Sequence, residues 1–98
     1  MIKISTTLQT CRMVLMVANA RGLHLRPASQ LVNVASQFDA DIVLEHKGRK
    51  ANAKSLIGVV TLRADEGARL TVKARGQDAP EALKAIRDLF CLVSPAAA

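Results

Sequence analysis

The apolar residues of this sequence change repeatedly between the spacing of a helix and that of a strand, and this order constrains the fold most. From Pro27 the apolar positions recur at the three- and four-residue intervals of one helix face. Over 40–46, and again over 69–75, they alternate with polar positions, as in half-buried strands. A final helix ending at Val93 follows Asp78, which with Glu81 forms a capping box.

The remaining segments complete the order of elements. A nearly continuous apolar run over 12–18 predicts a first strand that is buried on most of its surface. The Lys47-Gly48 turn leads into a short strand over 49–53. Residues 54–62 suit either a strand or a helix, and the potential N-cap Ser55 favours a short helix.

The order strand, helix, strand, strand, helix, strand, helix predicts an α+β fold. We expect a two-layer open-faced sandwich, in which three helices cover one face of a four-stranded, mainly antiparallel sheet. Residues 11–93 form its single domain. Residues 1–10 are an N-terminal extension of uncertain structure that could lengthen the first strand, and 94–98 are a C-terminal tail.

Charge and composition narrow the classes of partner. The chain has 14 Lys and Arg against eight Asp and Glu, a net charge of +6, which favours acidic partners. Its only aromatic residues are Phe38 and Phe90, which argues against a surface that stacks nucleic-acid bases. No apolar run has the length of a signal peptide or a membrane span. We therefore predict a cytoplasmic protein with no nucleic-acid or membrane partner.

The two cysteines and two histidines carry little sign of a metal or disulfide site. Cys11 and Cys91 lie at opposite ends of the chain without a Cys-x-x-Cys pattern, so we expect no disulfide, metal or cofactor. His46 ends a predicted strand, and we expect it on the surface rather than in a second site.

His24 is the strongest candidate for chemistry because it lies in the loop that leads to a predicted helix start, with Pro27 in the first turn. Neutral imidazole is a nucleophile that can accept a phosphoryl group and later release it. The backbone N–H groups of Leu25 and Arg26, with the Arg26 guanidinium, could bind the phosphoryl oxygens. The plain alternative is that His24 only caps the helix or fills a loop.

Two motifs carry a resemblance to a known family. The run Gly-Leu-His-Leu-Arg-Pro-Ala over 22–28 resembles the active-site signature of HPr, the histidine-containing phosphocarrier of bacterial sugar phosphotransferase systems. A second motif over 52–62 lies at the family's usual separation, and the resemblance extends over 11–92. Arg63 stands where HPr proteins commonly have glycine.

The resemblance implies a function as well as a fold. His24 would accept a phosphoryl group on Nδ1 from phosphorylated Enzyme I and donate it to the IIA component of a sugar permease, and Arg26 would stabilise the group. Such a protein is a stoichiometric carrier rather than an independent catalyst, needs no cofactor, and is expected to be a monomer. A regulatory or nitrogen-branch phosphocarrier is an alternative, and so is a basic nucleic-acid-binding module in which His24 is structural.

The second motif implies regulation and docking. Ser55 matches the serine that HPr kinase/phosphorylase modifies in many members, although a serine at a helix start is also an ordinary cap. Leu56, Ile57 and Val60 match the partner-docking surface of the family, and the plain alternative is that they belong to the core.

Overall fold

The computed structural model describes residues 9–17, 25–65 and 67–93, with the side chains of 10–17, 25–65 and 67–90. Its elements in chain order are β1 (Gln9–Met16), α1 (Leu25–Ala35), β2 (Asp41–His46), β3 (Arg49–Asn52), α2 (Leu56–Thr61), β4 (Arg69–Gly76) and α3 (Ala79–Val93). These four strands form one antiparallel sheet in the order β1-β4-β2-β3. The predicted open-faced α+β sandwich is confirmed.

The core lies between the sheet and the helices. Alternate residues of β2 and β4 point to the helix side and are buried, because successive side chains of a strand face opposite ways. The largest fully buried side chains come from both layers: Leu31, Ile42, Leu44, Leu70, Ile86, Val17, Val59 and Val72.

The first strand differs from its prediction in both position and burial. It begins at Gln9, because β4 is eight residues long and pairs with β1 from Gln9 opposite Gly76 to Met16 opposite Arg69. Residues 9 and 10 therefore belong to the sheet. Only one face of β1 is covered, so Val14 and Met16 are 54% and 59% exposed. Residues 1–8 and 94–98 lie outside the described part of the chain.

His46 is not a surface residue, and this expectation was wrong. It lies on the same face of β2 as Ile42 and Leu44 and is only 8% exposed. Its ring Nδ1 lies 3.3 Å from the carbonyl oxygen of Arg69, which gives the buried imidazole a hydrogen-bonding partner.

β2 is followed by a tight turn at one end and preceded by a close approach of two backbone segments at the other. At one end, Lys47 and Gly48 have φ of 49° and 81°, the geometry that suits a two-residue hairpin turn. At the other, a Cβ on Gly76 would lie 2.9 Å from the Ala40 Cα. Asp78 precedes α3 as predicted, and its carboxylate accepts a hydrogen bond from the Asp39 N–H at 2.8 Å. The start of α3 is thus tied to the start of β2.

Within residues 9–17, 25–65 and 67–93, no helix has the length and hydrophobicity that a membrane span requires. The same residues contain no group of three or more His, Cys, Asp or Glu side chains that could bind a metal ion.

Candidate functional site

His24 itself lies outside the described residues, and the structure begins again at the first residue of α1. Leu25 and Arg26 open this helix, and both side chains are exposed, Leu25 by 63%. The first N–H groups of a helix have no acceptor within it and carry its partial positive charge. The residues that follow His24 therefore present the donors that an anion would use.

Buried residues immediately after Arg26 hold this helix start in place. Pro27, Ala28 and Leu31 lie on the buried face of α1. Pro27 is the third helical residue rather than the first, but its missing N–H still falls within the turn that needs no internal partner. The exposed Arg26 is thus followed directly by residues that are packed into the core.

Ser55 occupies the N-cap of α2, as its sequence context predicted. Its backbone is extended, with φ −113° and ψ 111°, and its Oγ accepts a hydrogen bond from the Gly58 N–H at 3.2 Å. The side chain is exposed, so the hydroxyl that caps the helix is also accessible to solvent.

The three predicted docking residues of α2 do not share one environment. Ile57 is 73% exposed, whereas Leu56 and Val60 are partly buried against the core. Val59 between them is fully buried and anchors the helix. α2 contacts α1, so this layer carries exposed apolar side chains on two adjacent helices, Ile57 and Leu25. Leu25 was predicted only through its backbone; the missed signal was an apolar residue directly after His24 that lies outside the buried face of α1.

Lys54 has a structural role that the sequence did not reveal. Its Nζ donates a hydrogen bond to the Phe38 carbonyl at 2.9 Å, and its own N–H donates to Asn52 Oδ1 at 2.8 Å. These contacts connect the segment before Ser55 to the segment after α1. The Asn two residues before Lys54 was a recognisable turn signal, but the contact with Phe38 depends on the tertiary fold.

Arg63, where the sequence departs from the pattern of the family that it resembles, has a demanding backbone conformation. It follows Leu62, the C-cap of α2, with φ of 54°, and its N–H donates to the Val60 carbonyl at 3.2 Å. Glycine is the residue that ordinarily follows a helix in this left-handed conformation. The backbone keeps that conformation here although the residue is arginine.

Comparisons with known proteins agree with this geometry. The family model described as "PTS HPr component phosphorylation site" matches residues 12–91. The phosphocarrier protein HPr from Bacillus anthracis is 36% identical, with a TM-score of 0.78, over 82% of this chain and 95% of that one. The histidine-containing phosphocarrier protein of a mycoplasma is 30% identical, with a TM-score of 0.82, over 86% and 96%.

A third similar structure differs in its assembly. Crh, the catabolite repression containing protein of Bacillus subtilis, is 37% identical, with a TM-score of 0.66, over 78% of this chain and 87% of that one. Its structure is described as a dimer with a swapped domain.

Proposed function

Since the chain belongs to the HPr phosphocarrier family of the phosphotransferase system, we propose that His24 accepts a phosphoryl group from phosphorylated Enzyme I. It then passes the group to the IIA component of a sugar permease, in the cytoplasm. One observation carries the proposal: α1 begins at the residue after His24, with Leu25 and Arg26 exposed and the next two residues, Pro27 and Ala28, buried.

The transfer needs only residues of this chain and its two partners. The Nδ1 lone pair of neutral His24 forms the nitrogen–phosphorus bond while the bond from phosphorus to Enzyme I breaks, so the ring proton must lie on Nε2. The N–H groups of Leu25 and Arg26 and the Arg26 guanidinium would bind the phosphoryl oxygens. The phosphoryl oxygens keep their negative charge when the group is on His24, so the same donors support its transfer onward to IIA.

Docking would use the exposed apolar side chains of the helix layer. Leu25 and Ile57, 63% and 73% exposed, offer a small contact of the kind found in weak, transient complexes. A carrier that exposes one site to two partners in turn is best served as a monomer. The dimer of Crh makes sedimentation velocity the appropriate check of this state.

The first experiment is intact-mass analysis after incubation with phosphoenolpyruvate, magnesium and Enzyme I from the same bacterium. Wild type is expected to gain one acid-labile phosphoryl group, about 80 Da, and His24→Ala none. The chain has only one other histidine, so His46→Gln is the matched control and should still gain the group. Failure of wild type to gain it, or uptake by His24→Ala, contradicts the proposal.

A substitution of Arg26 tests whether its guanidinium stabilises the phosphoryl group. Arg26→Gln removes a charged hydrogen-bond donor of the kind worth about 1.5–3 kcal/mol, so we expect transfer from Enzyme I to slow about 10- to 100-fold. Arg49→Gln, on the exposed end of β3, removes the same charge at another site and should leave the rate nearly unchanged. Equal slowing in both variants would assign the effect to net charge.

Regulation at Ser55 is a second element of the proposal, favoured by its exposure at the N-cap. A phosphoryl group there would replace the hydroxyl hydrogen, esterify the Oγ that accepts from Gly58, and add about two negative charges beside Ile57. Incubation with HPr kinase/phosphorylase and ATP is expected to add an acid-stable phosphoryl group to wild type and none to Ser55→Ala. Addition to Ser55→Ala would locate the modification elsewhere.

A further inference from the structure

The face of the sheet that the helices leave uncovered carries an uneven distribution of charge. Four cations of β1 and β4 share it, and together they are called the basic face: Arg12, Arg69, Lys73 and Arg75. The acidic residues of that side, Asp41 and Glu45, both lie on β2. Glu45 lies 3.5 Å from Lys73, whereas Arg12 is directly opposite Lys73 in the β1–β4 register.

The stability of the sheet does not account for this arrangement. Like charges placed directly opposite each other on antiparallel strands are destabilising. In the described part of the chain four large apolar side chains are exposed: Val14, Met16, Leu25 and Ile57. Leu25 and Ile57 belong to the helix layer and the proposed docking surface. Val14 and Met16 lie instead among the cations, with Met16 opposite Arg69, and the proposed phosphoryl transfer gives them no role.

We propose that the basic face is a peripheral docking surface for an anionic lipid bilayer. Cations close to a membrane surface are attracted by acidic headgroups, and apolar side chains beside them can enter the boundary with the acyl chains. Alternate residues of neighbouring strands project on one side of a sheet, which suits contact with an extended surface. The sequence predicted no membrane partner because no apolar run could span a bilayer; peripheral contact requires no span.

The apolar residues favour a bilayer over the other polyanions that a basic face could bind. A nucleic acid could bind the cations through its phosphates, but a surface for its unpaired bases would also offer aromatic side chains on which they stack. Phe38 and Phe90 lie on neither β1 nor β4. The helices pack on the opposite side of the sheet. Docking by the basic face would therefore leave Leu25 and Ile57 exposed, on a carrier held near a membrane-bound permease.

The test is co-sedimentation of the full chain with large unilamellar vesicles at about 0.1 M salt. Vesicles of phosphatidylcholine with one quarter phosphatidylglycerol are expected to bind the protein, and pure phosphatidylcholine vesicles are not. Arg12→Gln/Arg69→Gln leaves the Lys73–Glu45 pair in place. At about fivefold per cation, this double variant should partition about 25-fold more weakly. Met16→Thr should also weaken binding, because it removes apolar contact.

Lys84→Gln/Arg87→Gln on the exposed side of α3 is the matched control, since it lowers the net charge by the same two units. It should bind nearly as wild type, and circular dichroism and His24 phosphorylation would establish that both double variants are folded. The proposal is overturned if wild type does not bind the anionic vesicles or if the two double variants weaken equally. It is also overturned if the basic face binds a DNA duplex or an acidic protein more tightly, without dependence on Met16.

Discussion

Arg63 has a backbone conformation that suits glycine better than arginine. Its φ of 54° places an L side chain in the left-handed region, which costs about 1–2 kcal/mol. Glycine relieves that strain but loses more entropy on folding, about 0.5–1 kcal/mol. We therefore expect Arg63→Gly to raise the free energy of unfolding by about 0.5–1 kcal/mol in urea titration.

The variant Arg63→Ala distinguishes backbone strain from charge. It removes the guanidinium but retains the Cβ that causes the strain, so its stability should stay close to that of wild type. If alanine stabilises as much as glycine, the gain comes from losing a positive charge on a basic chain.

Gly76 is required for a close approach of two backbones. A Cβ there would lie 2.9 Å from the Ala40 Cα and 3.0 Å from the Asp39 carbonyl oxygen, with φ at 142°. Backbone atoms cannot rotate aside as a flexible side chain can. We expect Gly76→Ala to lower the free energy of unfolding by about 2–4 kcal/mol. Gly48→Ala, with φ of 81° and no atom within 4 Å, should lose only about 1 kcal/mol.

At the scale of elements, hydrophobic period predicted which segments become helices and strands, but pairing determined where they end. The alternation over 69–75 predicted β4 closely. The apolar run over 12–18 misled because it looked buried on most of its surface. In the sheet β1 is covered on one side only, so its pairing with β4, and not its own hydrophobicity, sets its limits. His46 was misjudged because its place at the end of a strand suggested exposure, whereas it continues the inward face of β2.

The short helix α2 depends on its cap more than on its own length. Six residues form few internal hydrogen bonds, and the Ser55 Oγ supplies one of the missing partners. Ser55→Ala should therefore lower the free energy of unfolding by about 1 kcal/mol. Ser55→Asp retains an acceptor and adds a negative charge at the helix start, so it should unfold at nearly the wild-type urea concentration.

These two variants also separate capping from regulation. If charge at Ser55 impairs partner docking, Ser55→Asp should slow phosphorylation of His24 while Ser55→Ala leaves the rate nearly unchanged. The opposite order, with slow transfer in the less stable alanine variant, would attribute the effect to loss of the cap.

At the scale of the whole molecule, the sequence predicted the fold class and the family better than it predicted the surfaces. Two motifs at the correct separation identified the family, and the segment around His24 identified the candidate chemistry. The exposure of Val14 and Met16, and the contact of Lys54 with Phe38, depend on strand order and helix packing. Those are tertiary properties that local spacing does not contain.

The strand order also determines how stability is distributed through the molecule. β4 pairs with strands on both sides, and Leu70 and Val72 are fully buried. Among the elements that the structure describes, α2 contacts only α1 and β3 extensively, so it should open locally at lower free energy than the sheet. In native-state hydrogen exchange we therefore expect the Val72 amide to exchange only through global unfolding. The Val59 amide, bonded to the Ser55 carbonyl at 2.9 Å, should exchange through local opening.

Two of the variants above test this distribution directly. Gly76→Ala lies in β4, so it should lower the protection of Val72 by its full effect on unfolding and change that of Val59 little. Ser55→Ala should lower the protection of Val59 by about 1 kcal/mol, because the cap stabilises α2 against its own opening. If Val59 and Val72 exchange equally slowly and respond alike to both variants, α2 unfolds only with the sheet. Ser55 would then cap an element as stable as the core.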